Sequence, residues 1–505
     1  MEARSMIRRR VRVGGVAQYL ERIFLEEKLN NWIGYLLFTG IASVFGYLVA
    51  RQTLMGLSLF GFVLGFFTVI ACLLSTELGL YINLCYSFFA FHLSRFIFQD
   101  NFPVGVVTDV LLGATFLSLI IRNLGLRKNL NQFTRSTVVI GILVLVFYLL
   151  IELFNPYGHS FEGWFQTFRR FLESVFLLFI SYVVFTGDAP IRRFVTVLFV
   201  LCTIAGLYGC IQQWHGLFDF ERAWVTADDN RFGLFFIMGD FRKFSTMSDP
   251  TAYGVVMASC TVFFSIIAWN QKNKTHKYTL FGGILFMCLG MGYSGTRTAN
   301  VMVAAGIAMF ILLTLNKKST RMFAVAATMI FLFLLYGPYI NTTIIRFRTS
   351  FMGSDDESYK VRDVNRAAIR PYIHTHPIGG GLGTTGASGL RFNRGHYLAG
   401  FPPDSGYLRK ALETGWVGLG LICVLYFIIL KFGIRAYFRC RDDTHRLLYA
   451  ACTAAIFSFY IAEFAQEAIG QITDVVVYYP LIAIMLRQYQ MDRSRAGRTT
   501  AEATV

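Results

Sequence analysis

The chain has 505 residues, of which 55% are hydrophobic, 16% are aromatic and only 15% are charged. A domain of this composition would not stay dissolved in water. The sequence therefore excludes an ordinary water-soluble fold and indicates a membrane protein. The formal net charge of +17 needs no nucleic-acid partner, because membrane orientation and anionic lipid headgroups account for most of it.

Residues 1–32 are predicted to form a cytoplasmic N-terminal segment. They begin with the basic stretch MIRRRVR and continue into the amphipathic stretch LERIFLEEKLNN. A cleavable signal peptide would instead need an apolar core and a small-residue cleavage site. We therefore expect this segment to lead into the first membrane span.

Residues 33–486 are predicted to form a polytopic membrane domain. A membrane-spanning helix needs about 20 mostly apolar residues, and two of the shorter apolar stretches could merge or be re-entrant. We therefore predict an all-α integral membrane protein, a bundle of about 12–14 transmembrane helices. The candidate spans are 33–50, 53–74, 78–98, 104–121, 137–154, 171–186, 194–213, 250–270, 278–293, 298–315, 322–340, 407–430, 447–466 and 473–486.

Basic residues predict the orientation of this bundle, because short loops rich in Lys and Arg stay on the cytoplasmic side. An even number of spans places both termini there, and residues 487–505 then form a cytoplasmic tail. The basic segments that fall on this side are MIRRRVR, RNLGLRKNLNQFTR, Arg192–Arg193, QKNKTHK, NKKSTR, KFGIRAYFRCRDDTHR and RQYQMDRSRAGR.

Two long polar segments, 214–249 and 341–404, fall on the opposite, outer side. Loops of this length in a compact protein are usually functional or disordered. Their aromatic and alternating apolar residues argue against disorder. We expect the second to be a large periplasmic loop that contains short helices.

The outer side also carries a surplus of basic residues. One interpretation is a solvated basic loop, since long loops escape the orientation rule. The other is a phosphate site, which guanidinium groups suit. Arg297 lies in a short link between spans, and Arg362, Arg366 and Arg370 have the i, i+4, i+8 spacing of one helical face. The surplus consists of Arg222, Arg231, Arg242, Lys243, Arg297, Arg346, Arg348, Arg362, Arg366 and Arg370.

Acidic residues gather at the predicted outer ends of the helices. They are Glu152, Asp249, Asp404, Glu463 and Glu467. Ionisable residues within spans are costly and usually functional. The alternative for Glu152, Glu463 and Glu467 is structural pairing, with some of the acids bound to the arginines.

The stretch HTHPIGGGLGTTG at residues 374–386 invites two interpretations that its spacing and context exclude. A helical zinc site would need the HxxxH spacing and further ligands nearby, so we predict no metal site. Gly381, Gly383 and Gly386 match GxGxxG with Asp404 downstream, but that fingerprint requires a βαβ unit. The remaining alternatives are a flexible outer loop and a glycine-permitted path that brings backbone amides close to a ligand.

Four motifs in this order resemble the lipid-linked glycan ligases and polymerases, which include the O-antigen ligase and the O-antigen and exopolysaccharide polymerases. HPIGGGLG at 376–383 and DSGYLRKALETGWVGLG at 404–420 match most closely, through Leu408, Glu413, Gly415 and Gly418. RKFSTMSDPTAYG at 242–254 and YSGTRTAN at 293–300 resemble the upstream motifs, and Arg362 lies where the family has an arginine.

The resemblance implies an enzyme that transfers a glycan from undecaprenyl diphosphate to a hydroxyl of a second glycan or of the lipid A core. It implies a multi-pass protein of the bacterial inner membrane with a periplasmic active face. Other polysaccharide-export proteins are candidate partners. The family's histidine is replaced here by Asp404, a departure that favours the polymerase or exopolysaccharide branch over a strict ligase.

The implied roles fall on residues near these motifs, with no metal and no cofactor. Arg242, Arg297, Arg362 and Arg366 are the candidates for diphosphate binding, and Gly381, Gly383 and Glu413 for positioning the loop. Asp404 is the candidate catalytic base, with helix capping as its alternative role. His376 and His396 are the further candidate bases. The alternative function is a transporter or flippase of a lipid-linked oligosaccharide that performs no chemistry.

Overall fold

The computed structural model describes residues 32–51, 53–98, 100, 102–122, 126–237, 239–269, 271–338, 342–351 and 357–502. The predicted N-terminal segment 1–32 therefore lies almost entirely outside the described residues. The chain divides into two compact units, Met1–Ile70 and Ala71–Val505. Apart from the helix Trp32–Arg51 and most of the helix Thr53–Leu74, the features discussed below belong to the second unit.

The described residues are almost entirely helical, with one short hairpin in which β1 pairs with β2 in antiparallel register. The helices and strands, in chain order, are α1 Trp32–Arg51, α2 Thr53–Leu74, α3 Thr76–Phe98, α4 Val104–Ile121, α5 Leu126–Thr134, α6 Thr137–Ile151, a 3₁₀ turn Glu152–Phe154, α7 Phe161–Val184, α8 Asp188–Trp214, α9 Asp219–Thr226, α10 Asp229–Phe235, β1 Phe236–Ile237, β2 Asp240–Phe241, α11 Pro250–Trp269, α12 Lys274–Tyr293, α13 Arg297–Thr314, α14 Lys318–Tyr336, α15 Thr342–Thr349, α16 Glu357–Thr375, α17 Gly386–Phe392, α18 Gly406–Arg439, α19 Asp443–Ala462 and α20 Ile472–Glu502.

These elements confirm an all-α polytopic membrane protein. Each apolar stretch that the sequence marks as a span coincides with a helix. Eight of the described helices are long and apolar enough to cross a membrane, namely α4, α6 with its 3₁₀ turn, α8, α11, α13, α14, α18 and α19. The count of about 12–14 spans stays a prediction. Short helices do occur in the second long loop, as expected, where they are α15, α16 and α17.

Polar residues before the apolar runs determine where several helices begin. The Asp249 side chain accepts hydrogen bonds from the backbone amides of Thr251 and Ala252, at 2.8 and 3.0 Å, and Pro250 occupies the first turn of α11. Asp442 accepts from the amides of Thr444 and His445 in the same way. Such caps satisfy helix-terminal amides that have no partner within the helix.

Helix α11 is the centre of the bundle. It packs against α12, α13 and α19, and its Tyr253 is fully buried. The Tyr253 hydroxyl donates to the Ala205 carbonyl of α8 at 3.2 Å. A Cβ placed at Gly209 or Gly290 would lie 2.1 or 2.0 Å from this hydroxyl, so small residues on α8 and α12 make the close packing possible.

Two small apolar clusters attach the long loops to the bundle. Ile369, Leu398 and Leu412 hold α16 and the segment after α17 against the start of α18. The first long loop has its own cluster, formed by Leu217, Val225, Phe235 and Phe244. The first of these clusters places part of the second long loop at the start of α18, which is the region of the candidate site.

Candidate active site

Helix α18 is broken one-third of the way along its length. Gly415 has φ 66° and ψ −177°, a conformation that residues with a Cβ rarely adopt. The break lies in the DSGYLRKALETGWVGLG motif, and Gly415 is buried. A break in a buried helix leaves backbone carbonyls that need new hydrogen-bond donors.

The glycine loop, residues 377–383, supplies those donors. The amides of Gly380 and Gly381 donate to the carbonyls of Leu412 and Glu413, at 2.8 and 2.9 Å. In return, the Pro377 carbonyl accepts from the amide of Val417 at 3.2 Å. The glycine loop is thus bonded into the break of α18 through its backbone.

This docking needs glycine because the two backbones approach closely. A Cβ on Gly379 would lie 2.4 Å from the amide nitrogen of Gly415, and a Cβ on Gly415 would lie 2.0 Å from the Pro377 carbonyl oxygen. Gly381 and Gly383 both have positive φ and lie against Gly158 and Gly163. The amides of Gly380 and Gly381 are occupied by α18, so any ligand contact from this loop must come from other groups.

Side chains of α6 and of the segment directly after it hold the same junction. The Asn155 amide group donates to the Glu152 carboxylate at 2.7 Å and to the Ile378 carbonyl at 3.0 Å. The Tyr148 hydroxyl donates to the Thr414 carbonyl at 2.7 Å. Glu152 is therefore paired structurally, and its partner is Asn155.

Glu413 lies next to the glycine loop and is the first of three charged side chains that pair in series. It is 4% exposed and accepts a hydrogen bond from the Thr385 hydroxyl. Arg409 Nε lies 3.3 Å from Glu413 Oε1, and Arg409 Nη1 lies 2.5 Å from Glu467 Oε2. The pairing of opposite charges offsets the cost of burying them.

Glu463 also has charged and hydrogen-bonding partners, as the interpretation of structural pairing predicted. It is fully buried, forms an ion pair with Lys410, and accepts from the amides of Ala468 and Ile469 at 2.9 and 2.8 Å. The basic partners of Glu463 and Glu467 thus come from α18, within the motif at 404–420, and not from the arginines of the long loops.

Asp404 lies directly before α18 but does not cap it. The N-cap is Ser405, whose hydroxyl accepts from the amide of Leu408 at 3.4 Å and donates to the Glu463 carbonyl at 2.9 Å. The capping interpretation of Asp404 is therefore wrong, because the helix begins one residue later than that interpretation required. The Asp404 side chain is half-buried and remains a candidate for chemistry.

His376 and His396 gather on the other side of the glycine loop. The His376 ring stacks on Tyr372 with 3.9 Å between centroids. His396 lies 5.8 Å from His159, centroid to centroid, and a Cβ on Gly380 would lie 2.8 Å from the His396 ring. The two candidate histidines therefore share one cluster around Gly380.

The hydrogen bonds of His396 favour its neutral form. Its Nδ1 accepts from the amide of Leu398 at 3.1 Å, which leaves the proton on Nε2. Burial and the nearby rings of His159 and His376 hold the pKa of His396 below its ordinary value. A neutral imidazole whose one basic nitrogen already accepts a hydrogen bond is poorly placed to take up a further proton.

A group of arginines forms between the two long loops. The Arg242 guanidinium donates to the Ser294 carbonyl and the Thr296 hydroxyl, both at 3.0 Å, and Arg346 donates to the Ile237 carbonyl at 2.7 Å. Burial, together with the charges of Arg346 and Arg297, lowers the pKa of Arg242 to about 10, although Asp249 favours its charged form. Burial and Arg297 also lower the pKa of Arg346. We call Arg242, Arg297 and Arg346 the arginine cluster.

The row predicted on one helical face, Arg362, Arg366 and Arg370, does lie in a helix, α16. The side chain of Arg362 falls outside the described part of the structure. The Arg366 guanidinium donates to the Phe464 carbonyl at 3.3 Å and lies 5.2 Å from the centroid of the Phe464 ring. Arg366 is therefore attached to the link that carries Glu463 and Glu467.

Residues 282–423 match the protein-family model described as O-antigen ligase. This region is therefore similar to the O-antigen ligase family over 142 of the 505 residues. No curated protein matches the chain significantly. The matched region contains the glycine loop, the break in α18, Asp404 and both candidate histidines, and it confirms the resemblance drawn from the sequence motifs. Together with the apolar helices, it supports a membrane enzyme of the O-antigen ligase and polymerase type.

Arg346 was not among the residues that the sequence suggested for diphosphate binding. It could have been found, because it lies in the basic stretch RFR of the second long loop. Asp474 was also missed: it is 1% exposed, and neither of its carboxylate oxygens has a hydrogen-bond partner among the described residues. The sequence could have pointed to Asp474, because an aspartate inside an apolar stretch such as ITDVVVYYP is costly and is usually functional.

A cavity of about 180 Å³ lies below the break in α18. Arg409, Lys410, Glu413 and Glu467 line its polar part, and the remaining lining is largely apolar. A second cavity of about 460 Å³ shares Arg409 and Glu467 with it. A charged mouth above an apolar interior suits an amphiphilic ligand.

Replacing Gly415 by Ala should destabilise the protein by forcing the loop away from α18. A positive φ alone costs a residue with a Cβ about 1–3 kcal/mol, and the new methyl group would also overlap the Pro377 carbonyl. We expect a lower midpoint of thermal unfolding for Gly415→Ala in detergent. Gly420→Ala is the matched control, since a Cβ there meets nothing within 4 Å. Equal midpoints for the two variants would contradict this account of the break.

His396 should make the protein less stable at mildly acidic pH. Its pKa is lowered in the folded state, so the unfolded chain binds the proton more readily and stability falls as pH drops through about 6.5. We expect the unfolding midpoint to fall less between pH 7.5 and 5.5 in His396→Gln than in the parent protein. His374→Gln, which alters an exposed histidine of α16, should behave like the parent. An identical pH response in all three proteins would exclude a role for His396.

Proposed function

We propose that this protein transfers a glycan from an undecaprenyl-diphosphate carrier to a hydroxyl acceptor during assembly of a cell-surface polysaccharide, O-antigen or exopolysaccharide. The proposed location is the bacterial inner membrane, with the reaction on the periplasmic face. The observation that carries this proposal is the arginine cluster beside a domain of the O-antigen ligase family.

The arginine cluster supports binding of the carrier's diphosphate. Three guanidinium groups lie close enough for Arg346 and Arg297 to lower the pKa of Arg242. Like charges held together in a partly buried place are costly unless an anion joins them. A diphosphate would relieve this repulsion, and guanidinium groups match phosphate oxygens in charge and geometry.

The proposed reaction is a displacement at the anomeric carbon of the donor sugar. The acceptor oxygen forms the new glycosidic bond, and the bond between the anomeric carbon and the diphosphate oxygen breaks. The diphosphate leaves with the electron pair, and the proton of the acceptor hydroxyl passes to a base. Arginines stabilise the leaving diphosphate by neutralising its growing charge, so the proposed reaction needs no metal ion.

Asp404 is the base that we favour. Its carboxylate is not used to cap α18, because Ser405 has that role. His396 Nδ1 already accepts from the Leu398 amide. His376 Nδ1 lies 2.9 Å from the Tyr372 carbonyl and donates to it, which leaves Nε2 of His376 as the reserve base. Asp404 is preferred because it occupies the position of the family's histidine.

Arg297 should be needed for transfer but not for folding. A hydrogen bond to a charged group is worth about 1.5–3 kcal/mol, so Arg297→Gln should lower the rate of product formation by about 10- to 100-fold. The assay uses purified protein with a lipid-linked repeat unit in detergent, and product length is read on a gel. Longer chains indicate a polymerase.

The matched control is Arg222→Gln, which removes an exposed arginine of α9 in the first long loop. It should retain the parent rate. Unchanged activity in Arg297→Gln, or an equal loss in Arg222→Gln, would contradict the assignment of diphosphate binding. No product from the parent protein would favour the transporter alternative.

Asp404→Asn should abolish most of the activity while leaving the unfolding midpoint unchanged. General base catalysis contributes about 10²- to 10⁴-fold, and Ser405 preserves the helix cap in the variant. Asp363→Asn, which alters an exposed aspartate of α16, is the control. Retained activity in Asp404→Asn, together with loss in His396→Gln, would move the base to the histidine cluster.

A further inference from the structure

A large basic cavity lies at the far end of α18 from the candidate active site. Its volume is about 1140 Å³. It is bounded by α5, the turn between α7 and α8, the last turns of α18 and the middle of α20. On α18, 17 residues separate the break at Gly415 from Phe432 of the cavity wall, about 25 Å of helix at 1.5 Å per residue. No step of the proposed reaction uses this cavity.

The charge of the cavity wall has one sign. Seven of its nineteen lining residues are Lys or Arg, and none is Asp or Glu. Arg435 and Arg439 lie one helical turn apart on α18. Arg495 is paired with Asp188 at 2.8 Å. The side chains of Arg135, Arg435 and Arg493 form no ion pair or hydrogen bond with another described residue, so most of the positive charge is not neutralised by the described protein.

Polar groups without partners lie in the same wall. Ser136 Oγ and Arg487 Nε are buried and have no hydrogen-bond partner among the described residues. Ser136 is the N-cap residue of α6, yet its side chain accepts no bond from the helix. The start of α6, where Ser136 and Thr137 line the cavity, therefore has no side-chain cap, and a helix N-terminus favours an anion.

The position and lining of the cavity indicate a lipid. It lies at the ends of α6 and α18, two helices long and apolar enough to cross a membrane. Phe432, Leu486 and Met491 contribute apolar surface beside the basic residues. A headgroup could bind the cations while its acyl chains follow the helices. A free anion would leave the apolar part without a contact.

We propose that this basic cavity binds the headgroup of an anionic phospholipid that carries two phosphates, of the diphosphatidylglycerol class. Six of the seven basic side chains have no acidic partner among the described residues. Their combined positive charge is larger than one phosphate group could neutralise. Basic pockets between membrane helices are known to select such headgroups. Ordinary basic loops meet the bilayer as a convex surface, whereas these cations line a common concave cavity that is open to its surroundings.

The test compares binding of three probes to the delipidated, purified full-length protein. The probes are diphosphatidylglycerol, phosphatidylglycerol at equal total charge, and inorganic diphosphate. We expect saturable retention of diphosphatidylglycerol in native mass spectrometry, at least 10-fold above phosphatidylglycerol. The triple variant Arg135→Gln, Arg435→Gln, Arg493→Gln should lose this preference at least 10-fold. Since these side chains make no contact that the fold requires, its unfolding midpoint without lipid should match the parent.

A matched variant removes three exposed basic residues that lie outside the cavity, in other basic segments of the predicted cytoplasmic side: Arg192→Gln, Lys318→Gln, Arg321→Gln. It should retain the parent's preference. Equal binding of both lipids, or an equal loss in both triple variants, would show only general attraction to anionic membranes and overturn the proposal. Tight binding of inorganic diphosphate without retained lipid would overturn the lipid assignment and identify a soluble anion.

Discussion

Backbone hydrogen bonding between the glycine loop and the broken helix α18 is the constraint on which the candidate site depends. A helix interrupted near a membrane cannot rely on water for its free carbonyls, and here the amides of Gly380 and Gly381 bind them. The loop and the helix therefore form one rigid junction. This junction orients Glu413 and the start of α18, where Asp404 lies, and it brings the histidine cluster to the opposite side of Gly380.

The charged groups around this junction fall into two kinds. Glu413, Glu467 and Glu463 are matched by Arg409 and Lys410, so this network is internally balanced and holds α18 against the link between α19 and α20. The arginine cluster, which lies between the two long loops, is different, because three like charges lie close together, with Asp249 favouring the charged form of Arg242 and Asp240 that of Arg346. Balanced networks position a site, whereas an excess of one charge suits a ligand of the opposite sign.

Two separate sites thus carry phosphate-binding chemistry in our proposals, for different purposes. In the arginine cluster, partly buried guanidinium groups that the backbone holds in place would meet a diphosphate that leaves during a reaction. At the end of α18, mostly exposed cations line a cavity that also has apolar walls, which suits a lipid that stays bound. The same side-chain type therefore has two roles, which depend on how rigidly the surrounding structure holds it.

The sequence by itself determined the class of fold, because apolar stretches near 20 residues long can only be helices in a bilayer. It also located the family motifs, the long loops and Arg242 and Arg297, since these signals are local in the chain. It did not determine that Ser405 rather than Asp404 caps α18, nor that HPIGGGLG bonds to the break at Gly415. Those features depend on contacts between segments distant in sequence: the glycines are required by a backbone approach across the junction, and Arg346 joins the cluster only because α15 folds back over the hairpin. Tertiary structure decided them, because local composition carries no information about which segment will supply a missing hydrogen bond.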